Sequence, residues 1–161
     1  VLKKFNEGVE KVAGIGLVVF MAVMAITIPI TVFGRYILRN TPTWTDETAL
    51  FSLVWASMLG AAVGLRKGYQ IGIRSLVEKA PKALSITMQS VGYLFMFVLF
   101  GVLITYGMKQ TITNMRQLSP AMQIPMGIPY LALPLGFFCM FLFTLEEALG
   151  FLADMRSKKE A

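Results

Sequence analysis

The stretch of sequence that decides the fold is PTWTDETALFSLVWASMLGAAVGLRKGYQIGI, residues 42–73. Residues 48–65 carry no charge, and these 18 residues are just long enough for an α-helix to cross the hydrocarbon core of a membrane. The carboxylates of Asp46 and Glu47 precede this run and suit a helix N-terminus, whereas Arg66 and Lys67 follow it. The stretch therefore predicts a membrane-spanning helix with an acidic start and a basic end.

Small residues recur at every fourth position of this helix, at Ala56, Gly60, Gly64 and Gly68. Positions four apart lie on one face of a helix, and small side chains there let a second helix approach closely. The stripe is therefore the predicted packing seam of the chain.

The composition places the whole chain in the membrane class. Of its 161 residues 56% are hydrophobic and 15% are charged, and the mean hydropathy is +0.66. The net charge of +6 comes from basic residues between apolar runs, which favours lipid headgroups over nucleic acid as their partners. Histidine is absent and Cys139 is the single cysteine, so histidine-based metal or haem sites and thiol oxidoreduction lack their residues. We predict no enzyme and no catalytic, cofactor or metal site.

Four apolar runs divide the chain, which we interpret as a single domain, 1–161. The predicted spans are residues 12–34, 48–65, 83–108 and 127–147. We expect an interfacial helix over residues 1–11, an amphipathic surface connection over 66–82, and a proline-rich connection over 109–126 that lies mostly outside the membrane. The expected fold class is an all-α membrane protein with four transmembrane helices and short interfacial amphipathic helices.

The basic residues predict the orientation of the chain. Eleven of the 15 flank the side that holds both termini and the second connection, so we expect both termini in the cytoplasm. The residues of that second connection are predicted to anchor the chain among lipid headgroups: Arg66, Lys67, Arg74, Lys79 and Lys82.

The first connection combines Arg35 and Arg39 with Asp46 and Glu47. Charges of opposite sign at this spacing favour ion pairs, within the chain or with a partner subunit. The competing interpretation, a paired-carboxylate active site, requires a shielded cleft that nothing else in the sequence supplies.

The four apolar runs contain no Asp, Glu, Lys, Arg or His near their centres. An ion-coupled carrier normally has such groups at the bilayer midplane, so we expect a subunit that braces another membrane protein. The alternative is a self-contained small multidrug-type exporter that acts as a homodimer. An exporter of that kind needs a carboxylate in its first helix, and residues 12–34 have none.

The order and spacing of residues around the second and fourth spans resemble those of a known protein family. These residues are Trp44, Asp46, Glu47, Trp55, Gly60, Ala61, Ala62, Arg66, Gly68, Ile71, Ile73, Ala121, Ile124, Pro125, Tyr130, Pro134 and Gly136. The pattern resembles the small membrane subunit of tripartite ATP-independent periplasmic (TRAP) transporters, the DctQ-like family. One departure is Gln70, where many members have histidine, and it removes support for proton sensing at that position.

The resemblance implies a three-part importer of the bacterial inner membrane. A periplasmic binding protein captures an organic acid such as a C4-dicarboxylate or sialic acid, and a large membrane subunit carries it with sodium ions by an elevator motion. The small subunit braces the large one, needs no cofactor of its own and contacts phospholipid. The implied large-subunit interface comprises Ala56, Gly60, Gly64, Gly68, Trp44 and Trp55. The implied docking residues for the binding protein are Arg35, Arg39, Lys109 and Arg116.

Overall fold

The computed structural model describes residues 2–39, 42–68 and 81–160, and this part of the chain is almost entirely helical. The helices are α1 (Leu2–Phe33), α2 (Thr43–Arg66), α3 (Lys82–Asn114), the short α4 (Gly127–Tyr130) and α5 (Ala132–Glu160). A turn of π-helix, Gly34–Leu38, extends α1. The described residues form no strand, and α1, α2, α3 and the α4–α5 segment are each long and apolar enough to cross a membrane. The predicted fold class, all-α with four membrane helices, is confirmed.

The helices extend beyond the predicted spans. Helix α1 runs without a break from Leu2, so the segment predicted to be interfacial, residues 1–11, is continuous with the first span, and its position at the membrane surface stays a prediction. That segment contains no proline to end a helix, and two of its polar side chains are held by α2 and α5. Helix α3 continues to Asn114, into the predicted connection 109–126. Arg74, Lys79 and most of the predicted amphipathic connection lie outside the described residues.

The four long helices lie side by side in the order α1, α2, α5, α3. Helix α1 packs mainly on α2, α2 on α5 and α5 on α3. Helix α1 also makes a smaller contact with α5, whereas α1 and α3 do not meet in the described part of the chain. This order differs from a closed four-helix bundle, in which each helix has two neighbours around a common axis. The row leaves the outer helices widely exposed: Ile15 of α1 and Leu94 of α3 are each 66% accessible.

The core lies along α5, between its two neighbours. Phe143 and Met140 are buried with Ala62 of α2 and Phe100 of α3. On the α2 side, Gly136 allows close approach, because a Cβ atom there would lie 2.8 Å from the Met58 Cβ atom. Since lipid is as apolar as these side chains, close packing rather than water exclusion holds such a row together.

Candidate functional site

The first polar site joins three helices at the end that contains both described termini. Arg66 is the last residue of α2, and its Nε atom donates to Glu10 Oε2 of α1 at 2.7 Å. Its Nη1 atom donates to Glu146 Oε2 of α5 at 2.5 Å. The Arg66 side chain is only 13% exposed, and the two glutamates are 28% and 23% exposed. We call Glu10, Arg66 and Glu146 the three-helix ion cluster.

Two further side chains complete this cluster. Asn6 is fully buried, and its Nδ2 group donates to Glu146 Oε2 at 2.7 Å and to the Leu142 carbonyl at 3.2 Å. The Arg66 guanidinium also lies 5.0 Å from the centre of the Phe143 ring, a cation–π distance. Charge-assisted hydrogen bonds of this kind are among the strongest in proteins, so the cluster fixes the first turns of α1 against α2 and α5.

The predicted role of Arg66 as a lipid-headgroup anchor is wrong. Its guanidinium is largely buried and is taken up by two carboxylates of the same chain. Lys67, the next residue, is exposed, and α3 begins at Lys82, so the headgroup role of these two lysines stays a prediction. Sequence reasoning missed Glu10 and Glu146, although both lie next to uncharged runs at the membrane end where Arg66 was expected.

The second polar site lies at the opposite end of the helices. Glu47, in the first turns of α2, accepts backbone hydrogen bonds from Ala121 at 2.8 Å and Met122 at 2.9 Å, one with each carboxylate oxygen. Ser119 is fully buried in the same loop, and its Oγ atom accepts a hydrogen bond from the Ile124 N–H at 3.3 Å. Glu47 was predicted to form a loop ion pair. Instead it fixes the proline-rich connection to α2, and no ion pair of Glu47 occurs among the described residues.

Asp46, beside Glu47, lies 3.4 Å from an Arg35 guanidinium nitrogen. Both side chains are more than half exposed, so the pair contributes little to stability. Arg39 follows the π-helical turn with a left-handed φ of 50°. Arg35, Arg39, Lys109 and Arg116 are all exposed at this end of the helices, and their role in docking stays a prediction.

The predicted seam of small residues packs partly within the chain. Ala56 is 5% exposed, and a Cβ atom at Gly60 would lie 3.5 Å from a Leu17 methyl group of α1. Gly64 is half-buried, whereas Gly68 lies beyond α2 with φ 69°, a backbone conformation that favours glycine.

The two tryptophans predicted for the same interface have different surroundings. Trp55 stacks on Phe20 of α1 with ring centres 5.6 Å apart. Trp44 is 45% exposed at the start of α2. Trp44 is therefore the more accessible of the two rings for contact with a partner.

Between the two polar ends, the buried polar side chains are mostly hydroxyl groups bonded to their own helices. Thr27, Thr31 and Thr111 each donate to the carbonyl four residues earlier, at 2.8–3.0 Å. Thr144 is an exception, because its buried hydroxyl has no hydrogen-bond partner in the described part of the chain. No group of metal-ligating side chains suited to an ion occurs in residues 2–39, 42–68 and 81–160. The arrangement can bind helices together, but it offers an ion no polar path through the middle.

Comparison with known proteins gives a consistent family match. The family model described as "Tripartite ATP-independent periplasmic transporters, DctQ component" matches residues 24–154. The C4-dicarboxylate TRAP transporter small permease protein DctQ of Rhodobacter capsulatus is 31% identical over 112 residues, covering 67% of this chain and 48% of the relative.

Two further relatives carry related names. The isethionate TRAP transporter permease protein DctMQ of Oleidesulfovibrio alaskensis is 28% identical over 113 residues, covering 66% of this chain and 17% of the relative. The C4-dicarboxylate TRAP transporter small permease protein DctQ of Vibrio cholerae is 26% identical over 81 residues, covering 50% and 34%. The chain spans about half the length of the Rhodobacter relative and less of the other two.

Proposed function

Because the chain belongs to the DctQ component family of tripartite ATP-independent periplasmic transporters, we propose that it is the stationary scaffold subunit of an organic-acid importer. In this role it braces a large membrane subunit that moves the substrate, and it does not itself carry the substrate across the membrane.

The observation that carries this proposal is the placement of polar groups in the helix row. The described charged side chains lie towards the two ends of the helices, and residues 12–33, 48–65, 84–108 and 127–145 contain no Asp, Glu, Lys, Arg or His. A driven transporter needs polar partners for its ion or substrate near the midplane. A scaffold needs rigid helices and broad apolar faces, which the row has.

The proposed main partner is a large membrane subunit that covers part of this apolar surface. One relative is named permease protein DctMQ, and the matched region covers only 17% of it, as expected if small and large units are joined in one polypeptide. Exposed Trp44 at the start of α2 is a candidate contact. Gly60 and Trp55 pack on α1 and Ala56 is buried, so we assign these three residues to packing within the chain rather than to partner contact.

The family membership also supports a proposal for the transported substrate and for the ion that drives its transport. Relatives are named for C4-dicarboxylate and isethionate, so we propose a small organic anion as cargo, with sialic acid as a further candidate carboxylate. Sodium coupling is assigned to the large subunit. We place the chain in the bacterial inner membrane with both termini in the cytoplasm, in line with the predicted excess of basic residues on that side.

A periplasmic binding protein is the proposed third component. The four exposed basic residues Arg35, Arg39, Lys109 and Arg116 lie at the membrane end opposite the three-helix ion cluster. Among the described residues Asp46 pairs with Arg35 alone, so it neutralises only part of this charge. An acidic surface on the binding protein would be steered towards them.

Co-purification and reconstitution test the proposal. A tagged form of this chain should retain the large permease subunit encoded with it, and vesicles should take up organic acid only when both subunits and the binding protein are present. Uptake or drug efflux by this chain alone, or its purification only as a homodimer, would overturn the proposal in favour of the exporter.

A further inference from the structure

We propose that the outer face of α1 binds one anionic phospholipid, with its phosphate between Lys4 and Lys11 and an acyl chain along Gly14, Ile15 and Val18. This site requires only that α1 lies in a bilayer. It is independent of the importer role proposed above.

The acyl-chain part of the site is a shallow groove of about 430 Å³ on α1. It is lined by Lys11, Gly14, Ile15, Val18 and Val19. Its side chains are not covered by another described helix, since Ile15 is 66% and Val18 67% exposed. Gly14 leaves the groove open, because a Cβ atom at that position would contact nothing within 4 Å.

The headgroup part of the site is a pair of lysines on one helical face. Lys4 and Lys11 are seven residues apart, so their side chains leave the same face roughly 10 Å from each other along the axis. Gly8 lies between them, and a Cβ atom there would also contact nothing within 4 Å. Glu7 is also exposed and lies on the other side of the line between the two lysines, so a phosphate can approach between the ammonium groups only from the Gly8 side.

Both lysines are exposed, and neither forms an ion pair with a described residue. The nearby acids do not neutralise them directly: Glu10 pairs with Arg66, and Glu7 forms no ion pair with either lysine. No described carboxylate holds either ammonium group in an ion pair, so both can turn towards an anion on the Gly8 side, where Glu7 lowers but does not cancel their combined charge.

The position of the two lysines relative to the membrane indicates that the bound anion is a lipid. Lys11 is the last charged residue before the uncharged part of α1, residues 12–33. Its ammonium group therefore lies at the level of lipid phosphates, while its methylene chain can rest on apolar surface. A cationic headgroup site that continues directly into an apolar groove matches an anionic phospholipid in both charge and polarity.

Native mass spectrometry of the purified chain in detergent tests the site. The probes are dioleoylphosphatidylglycerol, dioleoylphosphatidylcholine and short-chain dihexanoylphosphatidylglycerol. The wild-type chain should bind one dioleoylphosphatidylglycerol in preference to the zwitterionic lipid. The double variant K4Q/K11Q should bind it roughly thirtyfold more weakly, since each lysine near a membrane surface contributes about a factor of five.

A matched control is Lys67→Gln, which removes an exposed lysine at the same membrane end but directly after α2. It should bind dioleoylphosphatidylglycerol as the wild-type chain does. Gly14→Leu should fill the groove and weaken binding of the dioleoyl lipid, with little effect on the dihexanoyl lipid. Circular dichroism should show unchanged helicity in all variants.

Equal binding of both dioleoyl lipids by the wild-type chain would overturn the proposal, as would undiminished binding by K4Q/K11Q. Release of the bound lipid on addition of the large subunit would also overturn it, because α1 would then be a protein interface. None of these results depends on transport activity.

Discussion

Replacing Arg66 with leucine tests whether the three-helix ion cluster holds α1, α2 and α5 together. The change removes the guanidinium and leaves Glu10 and Glu146 facing each other at a partly buried site. Loss of one partner from a buried ion pair costs about 3–5 kcal/mol, because the remaining charge is uncompensated. The glutamates are 28% and 23% exposed, and water at a pocket of about 310 Å³ can solvate them. We therefore expect a loss of about 2–3 kcal/mol.

The assay is reversible unfolding in mixed micelles, followed by circular dichroism, with Arg35→Leu as the matched control. Arg35 also pairs with a carboxylate, but that pair is more than half exposed, so its loss should cost less than about 0.5 kcal/mol. The triple variant R66L/E10L/E146L should recover most of the lost stability, because no charge remains buried. Equal free energies of unfolding for Arg66→Leu and Arg35→Leu would refute the claim that the three-helix ion cluster holds α1, α2 and α5 together.

Three further predictions concern the other contacts of the helix row. Glu47→Ala should release the loop after α3, and amide hydrogen exchange at the two loop N–H groups that it binds should accelerate at least about tenfold. Gly136→Leu should lower stability by about 1–3 kcal/mol in the same unfolding assay, because the added side chain overlaps α2, whereas Gly14→Ala on an open face should cost nothing. The double variant L17C/G60C should be joined by a short bifunctional thiol cross-linker, because a Cβ atom at Gly60 would lie 3.5 Å from a Leu17 methyl group, and absence of cross-linking would contradict the packing of α1 on α2.

The number and type of helices could be predicted from the sequence, but their neighbours could not. Uncharged runs such as residues 48–65 identify spans because a lipid-buried backbone must satisfy its own hydrogen bonds as a helix. In lipid, the buried and exposed faces of a helix no longer differ in polarity, because an apolar residue such as Ile15 is as stable against acyl chains as against protein. The glycine stripe on α2 predicted close packing, yet nothing in it distinguishes α1 from α5 or from a partner subunit.

The polar contacts were harder to predict for a related reason. The partners of Arg66 lie 56 and 80 residues away in the chain, and only the order of the helices brings them together. An arginine at a membrane boundary has two favourable environments, a lipid phosphate or a carboxylate of the same chain, and local sequence does not decide between them. Glu47 presented a similar choice between a nearby arginine and backbone N–H groups of a loop more than 70 residues later.

The distribution of these contacts bears directly on the proposed role. The three-helix ion cluster joins α1, α2 and α5 at one membrane end, and Glu47 joins α2 to the loop after α3 at the other. The middle is held by apolar contacts such as Gly136 against Met58. A change in the spacing of α1, α2 and α5 at the first end, or of α2 and the loop after α3 at the other, would break a charge-assisted hydrogen bond. Rigidity of this kind hinders alternating access within this chain. A transport domain that moves in a neighbouring subunit, however, requires a rigid scaffold against which to move. The stability of Arg66 and Glu47 variants therefore also tests the mechanical premise of the scaffold proposal.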